Sequence, residues 1–111
     1  MLHAAIARPF VTFSGEDLYA DDFEKAAALF HSLIKSHPFM DGTKRTAFLS
    51  AIYLLENRGQ VIPDRLPKAE VIRFCITVAE ENMRLAAGEP ITPRSIAAIA
   101  EWFRQLVRAS A

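Results

Sequence analysis

One short segment, HPFMDGTKRTAF at residues 37–48, gathers side chains that are typical of phosphate chemistry. Within nine positions it holds a histidine, a carboxylate, a glycine, a hydroxyl and two cations, namely His37, Asp41, Gly42, Thr43, Lys44 and Arg45. An imidazole, with an ordinary pKa of about 6.5, suits a general base near neutral pH. Paired cations beside a flexible backbone suit an anion. The segment therefore predicts a site that handles phosphate groups.

The predicted phosphate site requires a helix that begins near Lys44. At such a start, the backbone N–H groups of Gly42, Thr43, Lys44 and Arg45 lack intrahelical acceptors and point outward. The helix dipole adds about half a positive charge, to which two cationic side chains add their own. Cations at this end disfavour the helix by about 0.3 to 1 kcal/mol, and a bound phosphate would remove that cost.

Asp41 fits the same site if a divalent cation is bound there. Phosphate would repel its carboxylate unless Mg²⁺ bridged the two groups, and Mg²⁺ typically binds one or two carboxylates together with nucleotide phosphates. We therefore predict Asp41 as a metal ligand and His37 as the base that takes a proton from a hydroxyl nucleophile. Each residue alone also has an ordinary interpretation: a core histidine, an Asp-Gly turn, a solvated cation pair and, for Phe39, a hydrophobic anchor.

Two helices must hold this segment, and the first is predicted from Asp21 to His37. Asp21 and Glu24 resemble a capping box at its start, and Pro38 disfavours helical geometry at the residue before it. Apolar residues and one histidine recur at three- and four-residue steps, as in an amphipathic helix. They are Phe23, Ala26, Ala27, Phe30, Leu33, Ile34 and His37.

Three further helices complete the predicted all-α fold. The second runs from about Lys44 to Asn57 with Gly59 as a left-handed cap, and the third runs from Pro67 to near Gly88. The last begins with Thr92 as N-cap and Pro93 as its first residue. The residues predicted to face the core are Ala47, Phe48, Ala51, Ile52, Leu55, Val71, Phe74, Cys75, Val78, Ala79, Ile96, Ile99, Ala100, Phe103, Leu106 and Val107.

Length and composition favour a single domain without a membrane or nucleic-acid surface. The chain has 111 residues and a net charge of zero, so any attraction for phosphate must be local. Its one cysteine, Cys75, cannot form an intrachain disulfide, and a reducing cytosol is the simplest home. Residues 8–19, RPFVTFSGEDLY, are the one segment predicted to be extended or a small hairpin.

The segment HPFMDGTKRTAF resembles the motif of the Fic superfamily, His-x-Phe-x-Asp/Glu-Gly-Asn-Gly-Arg, and especially its Doc (death-on-curing) branch, where the loop contains Asn-Lys-Arg. The stretches GEDLYADDFEKAAALFHSLIKS, TAFLSAIYLLENRG and AIAEWFRQL also resemble Doc-type proteins, so the likeness covers most of the chain. It implies a compact Fic-type helical bundle, one domain over residues 1–111, with a short extended or β-hairpin flap near the N-terminus where a target docks by strand addition.

The resemblance also implies an activity. Fic enzymes bind ATP with Mg²⁺ and transfer AMP to a hydroxyl side chain of a target protein. In Doc toxins the nucleotide lies reversed and the γ-phosphate is transferred, elongation factor Tu being the known target. Lys44 replaces the second motif glycine and Phe48 replaces a second arginine of many Fic enzymes. Both favour a cytoplasmic, kinase-type Doc toxin restrained by an antitoxin peptide or protein; AMP transfer is the alternative.

Carried over by position, the resemblance assigns a role to each motif residue. His37 is the base, Asp41 the Mg²⁺ ligand, Gly42 and Thr43 the backbone that cradles the anion, Lys44 and Arg45 the phosphate neutralisers, and Phe39 the buried anchor.

Two departures from the family pattern support a rival hypothesis, a catalytically weak protein that binds an antitoxin. Thr43 replaces the motif asparagine, whose amide helps to order the loop. The chain also starts late, because Doc-type proteins usually have another helix before the segment matched by residues 2–9. We expect a shortened N-terminus to leave an apolar face exposed, which would support self-association.

Two patterns in the second half of the chain carry less weight. TVAEEN, residues 77–82, resembles the inhibitory motif of self-restrained Fic proteins, but the arginine that its Glu81 would pair with is absent, so we interpret the match as chance. Residues 91–107 resemble a DNA-recognition helix only weakly, since their cations are Arg94 and Arg104.

Overall fold

The computed structural model describes residues 12–13, 16–17, 21–36 and 41–109. Its elements are β1 (Thr12–Phe13), β2 (Glu16–Asp17), α1 (Asp22–Ser36), α2 (Asp41–Asn57), α3 (Lys68–Ala86) and α4 (Ile96–Ala109). The predicted all-α fold is confirmed. The two short strands pair antiparallel within the segment predicted to be extended. No described helix combines the length and the apolar character that crossing a membrane requires.

α1 is the central helix of the bundle. It packs against α2 and α4 and also touches α3. Every residue from Lys25 to Ile34 is buried except His31, which is half-buried. The predicted apolar stripe therefore lies within a helix that is covered on several sides. Ala26, Ala27 and Ala28 are all fully buried, and their small side chains let neighbouring helices come close.

One phenylalanine from each helix meets at the centre of the core. Phe30 of α1 and Phe103 of α4 are fully buried, with ring centroids 5.4 Å apart in an edge-to-face arrangement. Phe74 of α3 stacks on Phe30 at 5.7 Å, and Phe48 of α2 stacks on Phe103 at 6.0 Å. Such pairs each contribute about 0.5 to 1.5 kcal/mol beyond the burial of their area. All four rings were predicted to face the core, and they fix how the helices pack.

Glycines end α2 and α3 as their positions predicted. Gly59 has a φ of 89° and its N–H donates to the carbonyl of Glu56, while the next N–H, of Gln60, donates to the carbonyl of Leu55. This pair of bonds is the Schellman arrangement, which a left-handed glycine permits. Gly88, with a φ of 84°, ends α3 in the same way.

α4 starts later than predicted. Its N-cap is Ser95, whose hydroxyl accepts the N–H of Ala98 at 3.1 Å. The prediction that Thr92 and Pro93 begin this helix is therefore wrong. Both serine and threonine are good N-caps, so the local sequence does not choose between them.

A contact with α3 explains the late start of α4. The carboxylate of Glu81 accepts both the backbone N–H and the Nε–H of Arg94, each at 3.3 Å. The Arg94 guanidinium also lies 5.5 Å from the centre of the Phe74 ring. These contacts hold Arg94 outside the helix. They also give Glu81 a structural role, in line with the interpretation that its motif match is chance.

Asp21 joins the start of α1 to α4. One of its carboxylate oxygens accepts the N–H of Glu24 at 2.8 Å, and the other accepts the Nη2–H of Arg104 at 2.9 Å. The first bond is the N-cap half of the predicted capping box. Arg104 also donates to Glu101, and this hydrogen bond is the largest cause that raises the pKa of Arg104 and lowers the pKa of Glu101.

We expect replacement of Asp21 by alanine to lower the free energy of unfolding by about 1 kcal/mol, because the cap and the ion pair are both lost. Asparagine keeps a capping oxygen and should cost only about 0.5 kcal/mol. Urea unfolding followed by Trp102 fluorescence measures both values. Asp64→Ala removes an exposed carboxylate elsewhere and serves as the control. Equal effects of Asp21→Ala and Asp64→Ala would contradict the assigned role.

Cys75 gives the core a pH dependence. Burial raises the pKa of its thiol from 9.0 to about 11, and the nearby charge of Lys44 opposes the rise only in part. Since the folded pKa lies above the unfolded one, the contribution to stability is complete below pH 9 and is lost as pH rises towards 11.

We therefore expect the free energy of unfolding to fall over that pH range by on the order of 2 kcal/mol more in the unchanged chain than in Cys75→Ala. Urea titrations of the two chains at several pH values measure the difference. Other groups titrate alike in both chains and cancel. Parallel pH profiles would show that the thiol is not buried as described.

Candidate phosphate-binding site

The segment predicted to carry the chemistry lies where α1 ends and α2 begins. Residues 41–48 form the first turns of α2. Gly42 and Arg45 are exposed, and Thr43 and Lys44 are half-buried. Three predicted positions lie outside the described residues: His37, Phe39 and the side chain of Asp41. The structure therefore describes the four residues that the sequence predicts to bind phosphate, Gly42, Thr43, Lys44 and Arg45.

α2 begins at Asp41, three residues before the predicted start near Lys44. In this helix the amides of Asp41, Gly42 and Thr43 lack intrahelical acceptors, whereas those of Lys44 and Arg45 belong to the helical hydrogen-bond ladder. The prediction that the latter two amides are free to bind an anion is therefore wrong. Glycine is a poor helix former, which favoured a later start, and packing of α2 along α1 overrides that weak preference.

Gly42 provides open space next to these amides. It lies within the helix, and its φ is outside the left-handed region. A Cβ atom built at Gly42 would meet no described atom within 4 Å, leaving aside its chain neighbours and the helix backbone. An anion can therefore approach the start of α2 from this side without displacing a described side chain.

A groove of about 450 Å³ lies between the start of α2 and α3. We call it the basic groove. Its cations are Lys44 and Arg45 from α2 and Lys68 from α3. The other lining residues are Phe48, Leu49, Val71, Ile72, Cys75 and Ile76. No described carboxylate lines it, so the basic groove concentrates positive charge in a chain whose net charge is zero.

Four arginines elsewhere in the described chain are held by carboxylates. The ion pairs are Arg58–Asp22, Arg84–Glu89, Arg94–Glu81, Arg104–Asp21 and Arg104–Glu101. By contrast, neither Arg45 nor Lys68 has an ion-pair partner among the described residues. Their charges are available to an anion from outside. Arg94 and Arg104, the only cations of the segment that weakly resembles a DNA-recognition helix, are also engaged within the fold.

The donor set is compatible with Mg²⁺ although the described side chains form no metal centre. Among them there is no group of three or more His, Cys, Asp or Glu that could hold a metal ion. Mg²⁺ needs only one or two carboxylates when phosphates and water supply its other ligands. Asp41, which the sequence predicts as the ligand of this ion, is the first residue of α2.

Sequence reasoning missed Lys68. It belongs to no motif, and a lysine after a proline is usually only a solvated residue. The one available signal was its position at the start of a predicted helix. It joins the candidate site because α3 packs beside the first turns of α2.

An exposed apolar surface lies on the outer side of α2. Leu49 is 56% exposed and Tyr53 is 69% exposed. They line a second, open groove of about 980 Å³ that extends to Leu29 of α1 and Arg58 beyond α2. The lining of this groove is mostly apolar.

Comparison with known proteins agrees with the motif and its position. The Fic/DOC family profile matches residues 1–55. A curated protein of Mycolicibacterium smegmatis, Toxin Doc, is 46% identical over 99 residues, which cover 88% of this chain and 69% of that protein. No solved structure matches the chain. With this identity over most of both sequences, and with the motif at the junction of two packed helices, the chain belongs to the Fic/Doc family.

Proposed function

We propose that this chain is a Doc-type toxin that transfers a phosphoryl group from ATP to a hydroxyl side chain of a target protein, with elongation factor Tu as the candidate target. Members of the Fic/Doc family are in general protein-modifying transferases that use ATP and a metal. The observation that carries the proposal is the placing of Lys44 and Arg45 on the first turns of α2, beside open amides and in a groove without a described carboxylate.

The start of α2 supplies the phosphate-binding groups. The amides of Gly42 and Thr43 donate to phosphate oxygens, and Lys44 and Arg45 neutralise their charge. Hydrogen bonds to charged groups of this kind each contribute about 1.5 to 3 kcal/mol. Asp41 holds Mg²⁺, which when bound offsets negative charge on the phosphates. The positive end of the α2 dipole favours the same anion.

His37 supplies the base and Phe39 anchors the loop that carries it. The imidazole takes the proton of the target hydroxyl as its oxygen bonds to the γ-phosphorus. The bond from that phosphorus to the bridging oxygen breaks, and ADP leaves. An imidazole is half protonated near pH 6.5, so it is available as a base at neutral pH.

Phe48 supports phosphoryl transfer over AMP transfer. At this position many Fic enzymes have an arginine that contacts nucleotide phosphates. Here the side chain is 8% exposed and its ring stacks on Phe103 of the core. An apolar ring cannot reproduce a guanidinium contact, so the nucleotide must be held differently.

The name of the Mycolicibacterium relative, Toxin Doc, supports a role in a toxin–antitoxin pair. We place the chain in the cytoplasm as one domain over residues 1–111, restrained by an antitoxin peptide or protein.

Label transfer tests the reaction. With ATP labelled at the γ-phosphate, Mg²⁺ and elongation factor Tu, we expect label on the factor. His37→Ala should lower the rate about 100-fold or more because the general base is lost. His3→Ala, which removes a histidine outside the motif, is the matched control and should keep the rate.

Other results would redirect the proposal. Label transferred from the α-phosphate would show AMP transfer. ATP binding without transfer from either position to elongation factor Tu or another protein would favour a weak enzyme that serves as an antitoxin partner.

Nucleotide binding tests the cations separately from the chemistry. Lys44→Ala and Arg45→Ala should each weaken binding of ATP with Mg²⁺ about tenfold or more, because each removes a charge-assisted hydrogen bond. Isothermal titration calorimetry measures the affinities. Arg58→Ala, a cation just beyond the other end of α2, should leave them unchanged. Wild-type affinity in both the Lys44 and Arg45 variants would contradict the assigned site.

A further inference from the structure

The basic groove is lined by the starts of two helices. Lys44 and Arg45 lie in the first turns of α2, and Lys68 is the first residue of α3. Each helix start carries about half a positive charge from its dipole. The groove therefore combines three cationic side chains with the positive ends of two helices.

The start of α3 also has backbone donors without intrahelical acceptors. The first bond of this helix runs from the N–H of Val71 to the carbonyl of Pro67, at 3.0 Å. Pro67 makes no side-chain cap. The amides of Lys68, Ala69 and Glu70 thus precede the hydrogen-bond ladder of α3, as those of Gly42 and Thr43 precede that of α2.

No described carboxylate offsets the charge of Lys68 in the groove. Lys68 is exposed and has no ion-pair partner among the described residues. Glu70 lies in the same turn of α3 but lines a different pocket, together with Arg73 and Arg94. The nearest acid in sequence therefore points away from the basic groove, and the helix dipole makes the lysine less favourable still. An anion in the groove would offset both effects.

We propose that Lys68, which no motif includes, is a third phosphate-binding cation of this site. The inference rests on the proposed function, since its ligand is the phosphate chain of the same nucleotide. Lys44 and Arg45 bind that chain from α2, and Lys68 binds it from α3. Three cations favour a ligand with several negative charges, so Lys68 contributes more to binding a triphosphate than a monophosphate.

Binding of inorganic tripolyphosphate, ATP and AMP to the full chain tests this role. Lys68→Ala should weaken binding of tripolyphosphate and of ATP about tenfold and that of AMP much less. Lys68→Arg should keep all three affinities. Arg65→Ala is the matched control, because Arg65 is exposed, lies three residues earlier and does not line the groove.

A salt series separates charge from structure. Screening weakens exposed charge interactions, so the wild-type affinity for tripolyphosphate should fall more steeply with salt than that of Lys68→Ala. Thermal unfolding should be unchanged, since the side chain is exposed. Lys68→Gln, which keeps most of the side-chain length, gives a second neutral variant should alanine disturb the helix start.

The outcomes distinguish this inference from the proposed function. Equal affinities of Lys68→Ala and Arg65→Ala, with weakened binding in Lys44→Ala and Arg45→Ala, overturn the role of Lys68 alone. Weakened binding in Lys68→Ala with normal binding in the α2 variants supports Lys68 and contradicts the site assigned to α2. A wild-type chain that binds neither tripolyphosphate nor ATP overturns both.

Discussion

The fold depends on the burial of α1 between its neighbours. Phe30, at its centre, contacts the rings of Phe74 and Phe103, so one buried side chain holds α1, α3 and α4 together, and Phe48 adds α2 through Phe103. Because α1 and α2 are both packed in this core, the end of α1 at Ser36 and the start of α2 at Asp41 are held in place too. The core thus prepares the position of the candidate site.

The first turns of α2 serve the core and the candidate site together. Ala47, Phe48 and Ala51 are buried, whereas Arg45 is exposed on the same helix. α2 thus has a buried face and an exposed face. Phe48, which replaces the arginine of the Fic motif, therefore changes the packing of the core as well as a contact with the ligand. The ring joins the aromatic core, and the cations that remain lie towards α3. Lys44 is close enough to Cys75 for its charge to affect the pKa of the thiol.

Charge is distributed so that the net value of zero conceals local differences. Ion pairs such as Arg104–Asp21 and Arg94–Glu81 join helices or their flanking residues and occupy their own cations. Arg45 and Lys68 have no such partner among the described residues, and both line the basic groove. Exposed pairs contribute little to stability, about 0 to 1 kcal/mol each. What distinguishes Arg45 and Lys68 is that both line one groove together with Lys44, beside the start of α2.

Local chemistry in the sequence was sufficient for much of the fold. Apolar spacing placed Phe30, Phe48, Phe74 and Phe103 in the core, because side chains three and four residues apart share one helix face. Gly59 and Gly88 predicted the ends of α2 and α3, because glycine adopts a positive φ without strain. The order of residues 37–48 predicted the phosphate site, and its part on α2 lies at a helix start. The sequence did not predict where α2 and α4 begin. It also did not predict that Lys68 lines the basic groove. The start of α2 depends on its packing along α1, the start of α4 depends on the Glu81–Arg94 contact, and the role of Lys68 depends on the meeting of two helix starts. Each of these contacts joins different elements of the fold. A local sequence pattern carries no information about the energy of such contacts.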